Sequence, residues 1–227
     1  MRSRRFVAAT GAIYVVAVVA GNVLATDTGN GGAGDRSILE ALQHRTTAQA
    51  IGLVLEVLSF VALLLFLGYL YRVLRRAERP DGWAAAAAFG VGLVSTAVKL
   101  GSAAPALAAH LRRDDLTPEL ARTLDDLNGS AFVIDGLSFG LFVALAGYAA
   151  AGSRALSRWL SVSGLVVGTL AVAASTAGVL DPAGYVPVPF LLCALWVLVT
   201  SVVLAARREP PSDSADDAVP AGVSARA

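Results

Sequence analysis

Four residue types are nearly missing from this 227-residue chain: it has one cysteine, one methionine and two histidines, and every one of its 18 basic residues except Lys99 is arginine. A lone cysteine, Cys193, excludes a disulfide framework. Two histidines exclude a His-rich metal centre. Glu40 with His44, and His110 with Asp114, each share a four-residue spacing that one helix face could offer to zinc. Solvated interfacial side chains are the simpler reading of both pairs, and no metal or other cofactor is expected. The net charge of +1 gives no basic excess for nucleic acid. There is no strand–turn–helix nucleophile elbow and no glycine-rich phosphate loop.

Apolar residues are what the chain has in excess, at 56% with a mean hydropathy of +0.66. They fall in runs close to the length of about 20 residues that crosses a hydrocarbon core. The expected fold is all-α, a polytopic membrane helical bundle occupying 1–208. Its six transmembrane helices cover about 6–24, 48–71, 83–109, 128–151, 159–180 and 189–206. The first run is read as an uncleaved span, being long for a signal peptide and followed by further spans. The tail, 209–227, is rich in Pro, Ser, Ala and Asp without apolar periodicity, and reads as disordered and cytoplasmic.

Arginine placement sets the expected orientation. With both termini cytoplasmic, Arg2, Arg4, Arg5, Arg72, Arg75, Arg76, Arg79, Arg154, Arg158, Arg207, Arg208 and Arg226 lie inside. Only Arg36, Arg45, Arg112, Arg113 and Arg122 lie outside. Trp83, Trp159, Tyr69, Tyr71 and Tyr148 then form an aromatic belt at the inner interface. The Ala, Arg, Val and Gly bias with almost no lysine points to a high-GC bacterial genome, hence a multi-pass protein of the plasma (inner) membrane.

Local signals refine the chain. Ser37-Ile38-Leu39-Glu40 reads as a capping box, with Ile38, Leu39 and Leu42 resting on the membrane surface. Pro105 predicts a kink in the third span. Thr117-Pro118 predicts a helix start, and Leu116, Leu120, Leu124 and Leu127 an amphipathic surface helix leading into the fourth span. Gly164 and Gly168 form a GxxxG pair expected to pack within the bundle; Tyr14 and Trp196 are expected in its core.

Charges inside the spans are the informative exception. A charged residue near the bilayer centre costs roughly 2.5–3.5 kcal/mol on insertion scales, so Lys99 needs partners. Counting inward from the outer ends places Glu56 about eight residues deep, Lys99 about ten and Asp135 about seven, all within roughly 10–15 Å of the outer surface. Ser59, Ser95, Ser102, Ser138 and Asn128 flank them, and Asn22, Ser175 and Thr176 share the same outer half. Two carboxylates and one ammonium leave one acid without a cation, which in a dry site is neutralised by a proton.

The inner-loop segment Ser153-Arg154-Ala155-Leu156-Ser157-Arg158-Trp159-Leu160-Ser161-Val162-Ser163-Gly164-Leu165 resembles an uncharacterised bacterial family of six-span integral membrane proteins, grouped as a domain of unknown function. The second span is similar to theirs as well, from the acid at Glu56 to Tyr71-Arg72-Val73-Leu74. The resemblance implies membrane location, six helices and an acid close to Asp135 in the fourth span. It implies no activity, and the Ala-rich third span with Lys99 departs from it.

Three functions stay open. The leading one is a non-enzymatic membrane protein with an outward-facing polar cavity, transporter-like or ligand-binding, with a small solute or proton as its cargo. A structural or regulatory protein acting through a cytoplasmic partner is the second. An intramembrane or lipid-modifying enzyme, with Glu56 or Asp135 as base, is the third. The lipid bilayer is the expected partner in all three, and a homo-oligomer is compatible with each.

Overall fold

The computed structural model describes residues 2–25, 34–43, 46–112, 115–181 and 185–207, and among them every regular element is a helix. The order is α1 (Arg2–Ala25), α2 (Asp35–Gln43), α3 (Thr47–Ala77), α4 (Ala84–Leu111), α5 (Pro118–Ser153), α6 (Arg158–Leu180) and α7 (Val188–Ala206). All except α2 are long and apolar enough to cross a membrane, which makes six spans. The expected tail at 209–227 lies outside the described residues.

The six long helices close a ring in chain order, each packing on the next, with α7 returning to α1. α5 also touches α3 and α7 across the middle, and half of its most apolar stretch is buried. It is therefore the most buried of the six. Its inner face carries Phe139, Phe142, Val143, Ala146 and Ala150, which meet Phe60, Leu63, Phe66 and Leu67 of α3 and Trp196 and Val197 of α7 in one core.

Side-chain size decides how closely the helices approach. The α5–α6 contact is nearly backbone on backbone: a Cβ added to Gly168 would collide with the Ala144 amide nitrogen and the Gly140 carbonyl oxygen. Gly164 is covered by the Trp196 ring, so both residues of the GxxxG pair pack inside the bundle. Polar ties join helices where water is absent. Ser201 Oγ donates to Ala8 O at 2.6 Å and accepts from Ala12 N at 2.9 Å, fastening α7 to α1. Trp196 Nε1 donates to Leu160 O at 2.8 Å, fastening α7 to α6.

Helix ends show where local chemistry differs from expectation. Thr117 is the N-cap of α5, accepting from Leu120 N, with Pro118 in the first turn. The Ser37–Glu40 capping box does not form. α2 starts earlier, at Asp35, and Ser37 Oγ donates to Gly34 O instead. The box is at α3, where Thr46 and Gln49 cap each other reciprocally. At α4 the N-cap Trp83 offers no side-chain bond, and Glu78 fills the role from the end of α3, its Oε1 accepting from Ala84 N and Ala85 N.

The expected surface helix and fourth span are one unbroken 36-residue helix, α5. α2 leans on its extended N-terminal part, with Asp35 4.0 Å from Arg122. Of the leucine stripe, Leu116 is buried and Leu124 half-buried, while Leu120 and Leu127 are exposed, because Ala121 takes the inward position beside them. Helix α4 continues through Pro105, which is buried.

Candidate polar site

Lys99 and Ser95 stand one turn apart on α4 and so share a face. α3 and α5 flank that face, and each contributes one acid. Lys99 Nζ lies 3.6 Å from Glu56 Oε1, with side chains 12% and 23% exposed. Ser95 Oγ donates to Asp135 Oδ1 at 2.6 Å, and Asp135 is 1% exposed. Lys99 also acts electrostatically on Asp135. The three charges thus converge, but not symmetrically. Glu56 takes the ammonium and Asp135 takes the hydroxyl.

The ammonium has a third neighbour, the ring of Phe132, 4.7 Å from Nζ to the centroid. Phe132 precedes Asp135 by three residues, so α5 presents ring and carboxylate together. A cation over an aromatic face recovers part of what it loses on leaving water. Tyr14 of α1 sits under the cluster, buried against Phe60 and Phe139 and close enough for Asp135 and Glu56 both to act on its phenol.

Close helix approaches position these groups. A Cβ on Gly21 of α1 would stand 2.8 Å from Gly52 O and 3.5 Å from Glu56 Cβ, so α1 can lie against α3 at the level of the acid only without a side chain there. Gly136, next to Asp135, is similarly crowded by Ser175 Oγ of α6 and the Tyr185 hydroxyl. Tyr185, in the segment between α6 and α7, meets Phe132 edge-on. Burial and the negative charge of Asp135 hold its phenol above the usual range.

The other expected site residues behave differently from Ser95. Ser59 Oγ donates to Glu56 O, Ser102 Oγ to Lys99 O and Ser138 Oγ to Asp135 O. Each spends its proton on its own helix backbone three residues back, the usual fate of a helical serine. Asn128 is exposed, two turns from Asp135. Asn22 donates to Val18 O and Thr176 to Val172 O. Of the paired metal candidates, Glu40 is exposed on α2; His44, Asp114 and the His110 side chain lie outside the described residues.

Phe132, Tyr14 and Tyr185 are the site's neighbours that sequence reasoning missed. Phe132 carried a signal in its spacing from Asp135. Tyr14 and Tyr185 become neighbours only when α1 and the α6–α7 segment close the ring.

The outer surface of the same helices defines the class. Val16, Val19 and Val23 on α1, Val54, Leu58 and Val61 on α3, Val162, Val166 and Leu170 on α6, and Leu191, Leu195 and Val202 on α7 are all exposed. A soluble monomer does not expose so continuous an apolar sheath. With six helices of spanning length and with Glu56, Lys99 and Asp135 turned inward, the molecule is a multi-pass helical membrane protein. The chain belongs to the family described as Domain of unknown function (DUF4386), which matches residues 9–206, from within α1 to the end of α7. No curated protein and no solved structure matches it.

Proposed function

We propose that the protein sits in a bacterial plasma membrane with both ends of the ring's chain inside, and that its Glu56–Lys99–Asp135 cluster takes up a proton or small cation from the outer face. It would act as a transporter-like or ligand-binding module. The charge count at the cluster carries this reading: two acids share one ammonium, and the ammonium lies against Glu56. Asp135, deeper in the protein, has a serine hydroxyl as its side-chain donor. A carboxylate in so apolar a place is costly to keep ionised unless a positive charge accompanies it. One bound proton or monovalent cation makes the trio neutral. The residual exposure of Glu56 and Lys99 supports an approach from the end where α2 lies, and the arginines at the other end favour placing that end in the cytoplasm.

Difference infrared spectroscopy of the full chain in lipid nanodiscs tests this. An acid–base titration should reveal a protonated-carboxyl band that vanishes in Asp135→Asn and persists in Glu119→Gln. A titration with no such band, or a band unchanged in Asp135→Asn, overturns the proposal.

A further inference from the structure

A groove of about 490 Å³ opens at the arginine-rich end of the bundle, where α5 turns into α6. Buried Ala150, Leu156 and Ser161 form its floor, exposed Ala151 and Val162 its apolar sides, and Arg154 and Arg158 stand at it. Both arginines are exposed, and among the described residues neither guanidinium has an ion-pair partner. The turn that carries them is held from behind. Ala155 and Leu156 are buried, and Arg207 Nη1 donates to Ala155 O at 2.7 Å.

Arg154 adopts a left-handed backbone, φ 57°, the one non-glycine residue with positive φ among those described. This helix-ending position is usually glycine, which reaches it without strain. A residue with a β-carbon therefore stands where glycine would cost less, and its side chain is a guanidinium beside the groove. The level in the membrane is marked independently. Trp159, next to Arg158, and Tyr148, two residues before Ala150, are both exposed, and Tyr148 meets exposed Trp83 at 6.3 Å. Exposed Trp and Tyr on a spanning bundle gather at the headgroup region.

We infer that this groove is a binding site for an anionic phospholipid, the phosphodiester lying between Arg154 and Arg158 and one acyl chain running along the exposed Ala151 and Val162. The inference is independent of the charge cluster between α3, α4 and α5. Two guanidiniums without an ion-pair partner among the described residues match a phosphate, and apolar sides at headgroup depth match the chain attached to it. A soluble phosphate would use the arginines but not the sides.

Native mass spectrometry of the full chain in detergent reads the site directly, using dioleoyl phosphatidylglycerol against dioleoyl phosphatidylcholine as the two probes. The wild type should retain phosphatidylglycerol preferentially. Each arginine near a membrane surface contributes about fivefold in affinity for anionic lipid, so Arg154→Gln/Arg158→Gln should lose about 25-fold of the preference. Arg154→Gly relieves the strained backbone and so cannot lose binding by unfolding; it should lose about fivefold while melting no lower than the wild type. Ala151→Trp, at an exposed position, should block the chain and weaken retention with both arginines present. No preference in the wild type, an unchanged preference in Arg154→Gly, or full retention in Ala151→Trp overturns the inference. Displacement of the lipid by millimolar inorganic phosphate also overturns it, since the site would then bind a free anion.

Discussion

Lys99 pairs with Glu56 and not with Asp135: its ammonium lies 3.6 Å from Glu56 Oε1, while Asp135 is engaged by Ser95, one turn away on the same helix as Lys99. The two acids therefore have different tasks. A largely buried pair balances a desolvation cost against its Coulomb attraction, and removing one partner leaves the other charge stranded. Glu56→Leu and Lys99→Met should each lower stability by about 3 kcal/mol. The double variant should recover to within about 1 kcal/mol of the wild type, since an apolar pair of similar volume is tolerated there. A double-mutant cycle, with unfolding followed by circular dichroism in mixed micelles, measures the coupling. Additive single effects would show that the pair is not an energetic unit.

The serines give a sharper test, because four of them near the cluster look alike in sequence and only one faces an acid. Ser95→Ala removes a buried hydrogen bond to a carboxyl group, and should cost about 1.5–3 kcal/mol. Ser59→Ala and Ser102→Ala remove a bond to a helix carbonyl that already has its backbone partner, and should change stability by no more than about 0.5 kcal/mol. Thermal unfolding of the three variants under one condition checks the order. Equal losses would contradict the geometry.

What the sequence made legible was decided by depth and length. Hydrophobic runs of spanning length announce six helices because lipid leaves the backbone no other way to satisfy itself. Counting residues along those runs brings Glu56, Lys99 and Asp135 to one level without knowing the fold. The rotation of each helix is a different matter. Runs that are apolar on all sides carry little periodicity, so nothing in the sequence separates Ser95, which meets Asp135, from Ser102, which turns back on its own helix. Capping was misread for a related reason. Ser37 and Glu40 have the box spacing, but Gly34 and Asp35 let the helix begin a turn earlier, and Thr46–Gln49 holds the box at the end of a span where hydropathy dominates the view. Tyr14 and Tyr185 reach the cluster through ring closure, a contact between distant parts of the chain.

Glycine substitutions should divide by sign. Gly21→Ala places a Cβ 2.8 Å from the Gly52 carbonyl oxygen, a backbone atom that cannot turn aside. The α1–α3 contact must open, at a cost of about 1–3 kcal/mol, and Glu56 shifts with it. Gly90→Ala in α4 meets nothing within 4 Å, so it should stabilise the helix by about 0.5–1 kcal/mol through lower backbone entropy in the unfolded chain. Melting temperatures of the two variants, moving in opposite directions, are the expected result. A common direction would mean that α1 and α3 are not packed as described.

Thr200 offers a stabilising change that leaves the cluster alone. It is 0% exposed in α7, and its Oγ1 finds no hydrogen-bond partner among the described residues, although neighbouring Ser201 is bonded twice to α1. A hydroxyl stripped of water and given nothing in return costs about 1–3 kcal/mol. Valine has nearly the same shape, so Thr200→Val should recover about 1 kcal/mol of that penalty. Ser201→Ala should move the other way by about 1 kcal/mol or more, since it leaves the Ala12 amide without its side-chain acceptor. Thermal unfolding of both variants compares adjacent positions on one helix, so a general effect of apolar substitution would raise both midpoints. Only a rise for Thr200→Val with a fall for Ser201→Ala fits a bundle in which α7 is fastened to α1 by hydrogen bonds as well as by packing.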